Sequence, residues 1–246
     1  MRILDEAAIG LPLGHAAETP NEGEPPRHVV RSPLEQGLAE AEVQTLAELD
    51  LVRATLERAM EAARTGGTAI ANDVVASVRE SERRYADVHD RLLGLIARQA
   101  PVASHLRLAM ALLHVNDRAE RMAAQCMNIA TLRSAMPQGH RPPSEQLDCL
   151  SEMARLAAEQ LAEARRAFAE RDVGAAARLR QHDQAINEHN RRCFTLAVEG
   201  GDDEAQREAG FLAAMMARAI ERIGDNAVDI GQQLTFAVTG RLRRSG

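Results

Sequence analysis

The chain has 246 residues, of which 45% are hydrophobic and 2% aromatic, and its formal net charge at pH 7 is −6. This length suffices for one large domain or two of ordinary size. Abundant Ala, Leu, Glu and Arg with few aromatic residues predict an aliphatic core in an all-α protein. Arginine is spread along the chain and forms no basic block, which argues against nucleic acid as a partner.

The cysteines and the hydropathy pattern indicate a cytoplasmic protein. Cys126, Cys149 and Cys193 are far apart and form no CxxC pair, which argues against a disulfide framework or a structural zinc site. No window approaches the roughly 18–20 apolar residues that cross a bilayer, and the acidic start "MRILDEAAIG" lacks the basic region of a secretory signal. We therefore expect a cytoplasmic protein that reaches a membrane only through its partners.

Six long helices are predicted after residues 1–31, which mix Pro, Gly and charge without periodicity and are expected to be a flexible N-terminal extension. Ser32 as N-cap, Pro33 at the first helical position and Glu35 completing a capping box predict the start of the first helix. The later helix boundaries are predicted from the helix breaks "TGGT" and "EGGDDEA" and from Pro101. The predicted helices cover about 33–64, 69–99, 101–135, 144–170, 172–199 and the stretch from "EGGDDEA" to about 240.

An internal repeat relates the two halves of the chain. When the sequence is shifted by 101 positions, Glu120-Arg121 falls on Glu221-Arg222, and apolar positions agree across three helices without a gap. The repeat predicts two tandem three-helix bundles, at 33–135 and 144–240, from a duplicated unit of about 100 residues.

The last predicted helix carries three carboxylates on one face. Glu221, Asp225 and Asp229 follow one another at steps of four, where each pair of like charges costs a few tenths of a kcal/mol. They lie about 200° around the helix from the apolar seam that includes Ile223 and Ala227, so we expect the stripe to face away from the core. Carboxylates four residues apart can also converge on one cation, which would offset their repulsion.

Three segments resemble the signature regions of the PhoU family. They are "IERIGDNAVDIG" in the second half, "AERMAAQCMNIA" in the first half, and "ARQAPVASHLRLAMAL" at 97–112, and the likeness extends over residues 33–240. The resemblance implies a cytoplasmic accessory of the high-affinity phosphate transporter that keeps the phosphate-starvation response off when phosphate is plentiful. It implies contacts with the transporter's ATPase and with a phosphate-sensing histidine kinase.

The resemblance also implies a metal site, because some PhoU members carry multinuclear iron or zinc clusters on Glu/Asp-xxx-Asp motifs. Glu221-xxx-Asp225 is such a motif, and Asp183 and Asn187 repeat the four-residue step on the fifth predicted helix. We therefore predict an iron, zinc or other divalent metal site in the second half. Its candidate ligands are Glu221, Asp225, Asp183, Asn187 and Asp229, with His182, Glu188 and His189 close enough in sequence to supplement them.

The first half departs from the family pattern. Ala124 stands where the family usually has the aspartate of its first motif, and the neighbouring Gln125 supplies no charge. Glu120, Asp117 and Glu82 remain as candidate ligands of a weaker site.

Arg121 and Arg222 follow the motif glutamates in both halves and are candidates for contact with a partner protein. Ion pairing with a neighbouring helix of the same chain is the role that we favour for them. The sequence contains no nucleophile elbow, glycine-rich phosphate loop or dinucleotide fingerprint, and we do not expect an enzyme.

Other interpretations stay open at this point. The carboxylates can form a solvated stripe that Arg218 partly neutralises. The chain can be a metal-storage or di-metal oxidase bundle, although such oxidases use inward-facing Glu-x-x-His pairs. It can serve another anion carrier with the same fold. Long helices with spare Leu and Met are also compatible with a homodimer.

Overall fold

The computed structural model describes residues 32–200 and 203–241, and the extension predicted at 1–31 lies outside these ranges. The described residues form six α-helices and no strand, which confirms the all-α prediction. The helices are α1 (Pro33–Thr65), α2 (Thr68–Gln99), α3 (Ala103–Ser134), α4 (Ser144–Glu170), α5 (Ala175–Glu199) and α6 (Glu204–Thr239).

Helix α1 begins and ends with the signals that its sequence carries. The Ser32 hydroxyl accepts a hydrogen bond from the Glu35 N–H at 3.2 Å, and Glu35 Oε2 accepts one from the Ser32 N–H at 2.8 Å. This reciprocal pair is a capping box. At the other end Gly66 adopts a φ of 71° and donates its N–H to the carbonyl of Ala62, a left-handed cap that glycine forms without strain.

Two helices start later than predicted. Helix α3 begins at Ala103 and not at Pro101, because Val102 has extended backbone and forms the N-cap. Helix α5 begins at Ala175 and not at 172, because Asp172 Oδ1 accepts the N–H of Gly174 at 2.9 Å and holds this stretch in a turn.

The helices pack as two three-helix bundles, as the repeat predicts. Helices α1, α2 and α3 pack against one another, as do α4, α5 and α6, and the bundles meet where α3 lies along α6 and α1 along α4. Buried Leu, Ile, Val, Met and Ala side chains form one core through both bundles. Helix α6 therefore contacts three other helices.

Small residues on α6 allow its neighbours to come close. A Cβ atom added at Gly231 would lie 2.8 Å from Cδ1 of Leu179 and 3.2 Å from the backbone of α5. On α4, the fully buried Gln146 donates from Nε2 to the carbonyl oxygens of Cys193 and Gly210, at 3.0 Å each. These contacts fix α4, α5 and α6 relative to one another.

Candidate functional site

The second bundle brings three of the predicted carboxylates together. Burial raises the pKa of Asp183 on α5, and the negative charge of Asp225 on α6 raises it further. Burial also raises the pKa of Glu221. The positive charge of Arg218 lowers this pKa, and the negative charges of Asp225 and Asp183 raise it. Because these carboxyl groups influence one another's pKa values, the three lie around one junction of α5 and α6.

The prediction that the carboxylate stripe faces away from the core is wrong for Glu221. Only 8% of this residue is exposed, whereas Asp225 is exposed and Asp229 is half-buried. Arg218, one turn earlier on α6, donates from Nη1 to Oε2 of Glu221. Because a buried carboxylate is costly without a countercharge, this ion pair favours the charged form of Glu221. The partial neutralisation expected from Arg218 is confirmed.

The two oxygens of Asp183 have different surroundings. Oδ2 accepts a hydrogen bond from Nδ2 of Asn187 at 2.8 Å, whereas Oδ1 is buried without a partner. Oε1 of Gln160 on α4 is also buried without a partner, and both oxygens would lie 3.0 Å from a Cβ atom at Gly224. The absence of a side chain at Gly224 thus allows two acceptor atoms to face the same part of α6.

Asp229 makes its closest ionic contact with the other bundle. Its Oδ2 lies 3.2 Å from Nη2 of Arg118 on α3, and the second guanidinium nitrogen of Arg118 lies 3.7 Å from Asp117. Although Asp225 is exposed, partial loss of contact with water raises its pKa; Arg218 and Arg222 counteract this effect, and the charge of Asp229 adds to the rise. Asp229 therefore affects the pKa of Asp225 on the same face of α6, and its ion pair with Arg118 joins α6 to α3.

The first-half candidates also lie near one another. Burial raises the pKa of Glu120, and the charges of Asp117 and Glu82 raise it further. Asp117 is paired with Nε of Arg121 on its own helix at 3.1 Å. Ala124 leaves this group without the carboxylate that Asp225 supplies at the equivalent position of the second half.

The prediction that Arg121 and Arg222 pair with neighbouring helices is wrong. Arg121 pairs with Asp117 within α3, one turn away, as residues four apart commonly do. Arg222 is exposed and has no ion-pair partner within 4.0 Å among the residues that the structure describes. It borders a groove of 240 Å³ between α3 and α6, together with Gln125, Asn128 and Arg218.

The histidines expected to supplement the cluster contact α4. Nδ1 of His182 lies 3.1 Å from Oε2 of Glu163, and Nδ1 of His189 lies 3.6 Å from Sγ of Cys149. The remaining supplementary residue, Glu188, is exposed.

The side chains, as they stand, do not fit a metal cluster. In residues 32–200 and 203–241, no group of three or more His, Cys, Asp or Glu side chains is arranged to hold a metal ion. Glu221 is engaged by Arg218, Asp229 by Arg118, and Asp183 by Asn187. Among the described residues, the Asp225 side chain makes no hydrogen bond or ion pair and Oδ1 of Asp183 has no hydrogen-bond partner, and these two groups alone do not make a metal site.

Sequence reasoning missed two residues of this region, Gln160 and Arg118. A signal for Gln160 exists, because it is a lone amide in the apolar seam of α4 between Met153 and Ala164. Arg118 has no such signal, since the repeat aligns it with Ala219 and its partner is on the other bundle.

The fold and the cluster define a double three-helix-bundle protein whose two central helices, α3 and α6, carry carboxylates and arginines on one face. The sequence model of the PhoU domain matches residues 47–132 and again 150–234. The chain therefore belongs to the PhoU family, as its motifs indicate.

Curated relatives and solved structures agree with this assignment. The chain is 28% identical over 187 residues to "Phosphate-specific transport system accessory protein PhoU homolog 1" of Mycobacterium tuberculosis, covering 76% of this chain and 84% of the relative. It is 26% identical over 194 residues to the protein of the same name from Thermotoga maritima, covering 78% and 83%.

Two crystal structures share the fold. The phosphate transport system regulatory protein PhoU from Streptococcus pneumoniae superposes with a TM-score of 0.78 and 21% identity, over 86% of this chain and 100% of that one. PhoU from Pseudomonas aeruginosa gives 0.76 and 21%, over 84% and 99%. Within the described residues, no helix of the protein has the length and apolar character needed to cross a bilayer.

Replacement of Asp183 by Asn tests the electrostatics of this junction. The amide of Asp183→Asn removes a negative charge beside Asp225 and supplies a donor towards Oε1 of Gln160, so we expect stabilisation of about 1 kcal/mol at neutral pH. The raised pKa of Asp183 means that the folded state binds its proton more tightly than the unfolded state. The stabilisation that protonated Asp183 contributes is therefore present below the ordinary carboxyl pKa of about 4, and it is lost as the pH rises through the folded-state pKa.

The measurement is urea unfolding in the presence of a chelator, at about pH 4.5 and about pH 7.5. The advantage of Asp183→Asn is expected to grow with pH. Asp87→Asn is the matched control, because Asp87 is exposed and makes no hydrogen bond or ion pair with another described residue. A loss of stability in Asp183→Asn at neutral pH would contradict the assignment.

Proposed function

We propose that this protein is a cytoplasmic accessory of a phosphate-specific transport system and that it keeps the phosphate-starvation response repressed through protein contacts. The observation that carries the proposal is the pair of PhoU domains, which account for most of the six-helix fold. The names of the relatives support it, because those from M. tuberculosis and T. maritima are called phosphate-specific transport system accessory proteins. The partners that we propose are the transporter's ATPase and the cytoplasmic part of a phosphate-sensing histidine kinase.

A stripe on the outer surface of α6 supports a role in protein contacts. Phe211 and Met215 are 58% and 39% exposed, and Arg218 and Arg222 continue the same helical face. Large exposed apolar side chains beside arginine are typical of the energetically important centre of protein interfaces. We propose that this face, next to the groove between α3 and α6, contacts an acidic and apolar surface of the partner.

The mechanism that we propose is a change in partner affinity, without chemistry on a substrate. Arg222 has no countercharge within ion-pair distance among the described residues, so it can pair with an incoming carboxylate without first breaking an internal bond. Arg121, at the equivalent position in the first repeat, is held by Asp117. The second repeat is therefore the one that we propose as the main contact, and a homodimer through the remaining exposed faces stays a prediction.

Deletion of the gene tests the regulatory role. In a strain that lacks the protein, we expect transcripts of phosphate-starvation genes to be high at high phosphate, because the transporter's state no longer reaches the kinase. Restoring the wild-type gene should return these transcripts to the repressed level. Unchanged transcripts in the deletion strain would contradict the regulatory role and favour service to another anion carrier.

Charge reversal at Arg222 tests the proposed contact face. We expect Arg222→Glu to weaken binding to the isolated ATPase or to the kinase's cytoplasmic part by about tenfold or more, because an acidic partner surface would then meet a like charge. Biolayer interferometry with immobilised partner measures the change. Arg166→Glu is the control, since Arg166 is exposed on α4 and has no ion-pair partner among the described residues.

Equal binding by Arg222→Glu and Arg166→Glu would contradict the contact face. Absence of binding by the wild-type protein to either partner would contradict the proposed partners themselves.

Metal binding at Glu221 and Asp225 also stays a prediction, and it requires Arg218 to leave Glu221. If the site binds iron, zinc or another divalent ion, purified wild-type protein should hold more of that metal than a Glu221→Ala, Asp225→Ala double variant. Elemental analysis by inductively coupled plasma mass spectrometry measures the difference. Equal metal content in both proteins would show the prediction to be wrong.

A further inference from the structure

A cavity of 470 Å³ lies at one end of the first bundle. One wall is the turn between α1 and α2, from Arg64 to Thr68, and another is the end of α3 with Arg133 and Ser134. The segment that joins α3 to α4, residues 136–141, closes a third side. The cavity is distant in sequence from the carboxylates of α6 and plays no part in the site described above.

The ionisable side chains among the described lining residues of this cavity are all basic. Arg64, Arg133 and Arg141 contribute guanidinium groups and His140 an imidazole, and no Asp or Glu is among the described lining residues. This is unusual for a chain with a net charge of −6. The cavity is therefore a local region of positive potential on an acidic protein.

Two of the arginines have free donor groups. The Arg133 side chain makes no hydrogen bond or ion pair with another described residue, and its Nε–H is buried without an acceptor. Arg141 is exposed and has no such partner in the described chain either. Arg64 is paired with Glu61 on the outer surface of α1. A buried N–H group that has no acceptor in the protein can donate to a bound anion.

The backbone of the turn adds further donors. Helix α2 starts after Gly67, whose missing side chain gives no cap, and its first turn contains no acidic residue. The N–H groups at the start of a helix lack intrahelical acceptors and carry partial positive charge, which favours bound anions. Thr65, Thr68 and Ser134 line the same cavity, and the hydroxyls of Thr65 and Ser134 donate to carbonyl oxygens of their own helices.

Gly66 positions the guanidinium of Arg133 in this arrangement. A Cβ atom at Gly66 would lie 2.4 Å from Nη2 of Arg133, so a side chain at residue 66 would force the guanidinium to move away from the turn. Arginines in the last turn of a helix also offset the partial negative charge of its C-terminus, which accounts for part of the role of Arg64 and Arg133. That role explains neither Arg141 nor the lack of acidic lining residues.

We propose that this cavity binds the phosphate group of a small anion, either orthophosphate or a nucleoside phosphate. Planar guanidinium groups match phosphate oxygens with paired hydrogen bonds, and the start of α2 supplies backbone donors to the same group. The site is independent of the transport-accessory role: if it fails, the starvation-gene and partner-binding experiments still decide that role.

The first experiment is isothermal titration calorimetry of the full chain with sodium phosphate, ATP and sodium sulfate, at constant ionic strength set with chloride. Saturable binding of phosphate or ATP is expected, with Arg133→Gln and Arg141→Gln each weakening it by about tenfold. Arg141 is exposed, so its variant should retain the fold, and thermal unfolding checks this for both variants. Arg166→Gln is the control for loss of one surface charge.

Each outcome bears on the proposal. Tight binding of orthophosphate identifies the free ion as the ligand, and binding of ATP alone identifies a nucleoside phosphate; both support the site if the arginine variants weaken them. Equal affinity for sulfate overturns the assignment to phosphate. Undiminished binding in both folded arginine variants, or no saturable binding of either phosphate compound by the wild-type protein, overturns the site itself.

Discussion

The close packing of α5 against α6 is the constraint on which the second bundle depends. At Gly231 the two helices approach so closely that a single added carbon would contact Leu179 and the opposite backbone. At Gly224 the same proximity places Asp183 and Gln160 against α6. Partial removal from water is the main reason why the pKa values of Asp183, Glu221 and Asp225 are all raised, and the negative charges of neighbouring carboxylates add to each rise.

The bundle compensates for this crowding with specific polar contacts. Arg218 pairs with Glu221, and Asn187 donates to Asp183. The glutamines of α4 use their amide groups to satisfy carbonyl oxygens of neighbouring helices, with Gln160 donating to Leu179 at 2.9 Å. Since most of these donors reach buried acceptors, each would leave an unsatisfied group if it were removed. The region combines tight packing with stored electrostatic repulsion, a combination typical of sites that respond to a ligand or partner.

Local sequence signals predicted most of the helical architecture. The capping box at Ser32 and Glu35 and the glycine at 66 mark helix ends through interactions between residues that are close in the chain, and periodicity and the repeat supplied the two bundles. Asp183, predicted as a ligand because it lies four residues before Asn187, is on the face of α5 that meets α6. Helices α3 and α5 begin later than the sequence pattern predicts. The extended backbone at Val102 delays the start of α3, and the hydrogen bond between Asp172 and Gly174 delays the start of α5.

The burial of Glu221 could not be predicted from one helical wheel. Such a wheel assigns a single apolar seam, but α6 packs against α3, α4 and α5, so its buried arc is wider than the seam and includes this carboxylate. The contact between Asp229 and Arg118 could not be predicted either, because it depends on how the two bundles are placed side by side. Hydrophobic periodicity predicts the helices of each bundle, but it gives no information on how the two bundles are placed relative to each other.

The ion pair between Arg118 and Asp229 has a consequence for the history of the molecule. In the repeat alignment Arg118 corresponds to Ala219, and Asp229 corresponds to Asn128, so each half contributes one charge that the other half lacks. A chain assembled from two identical copies of either half would have no such pair. The duplicated units have thus become complementary parts with a defined order, and neither can replace the other at the seam between α3 and α6.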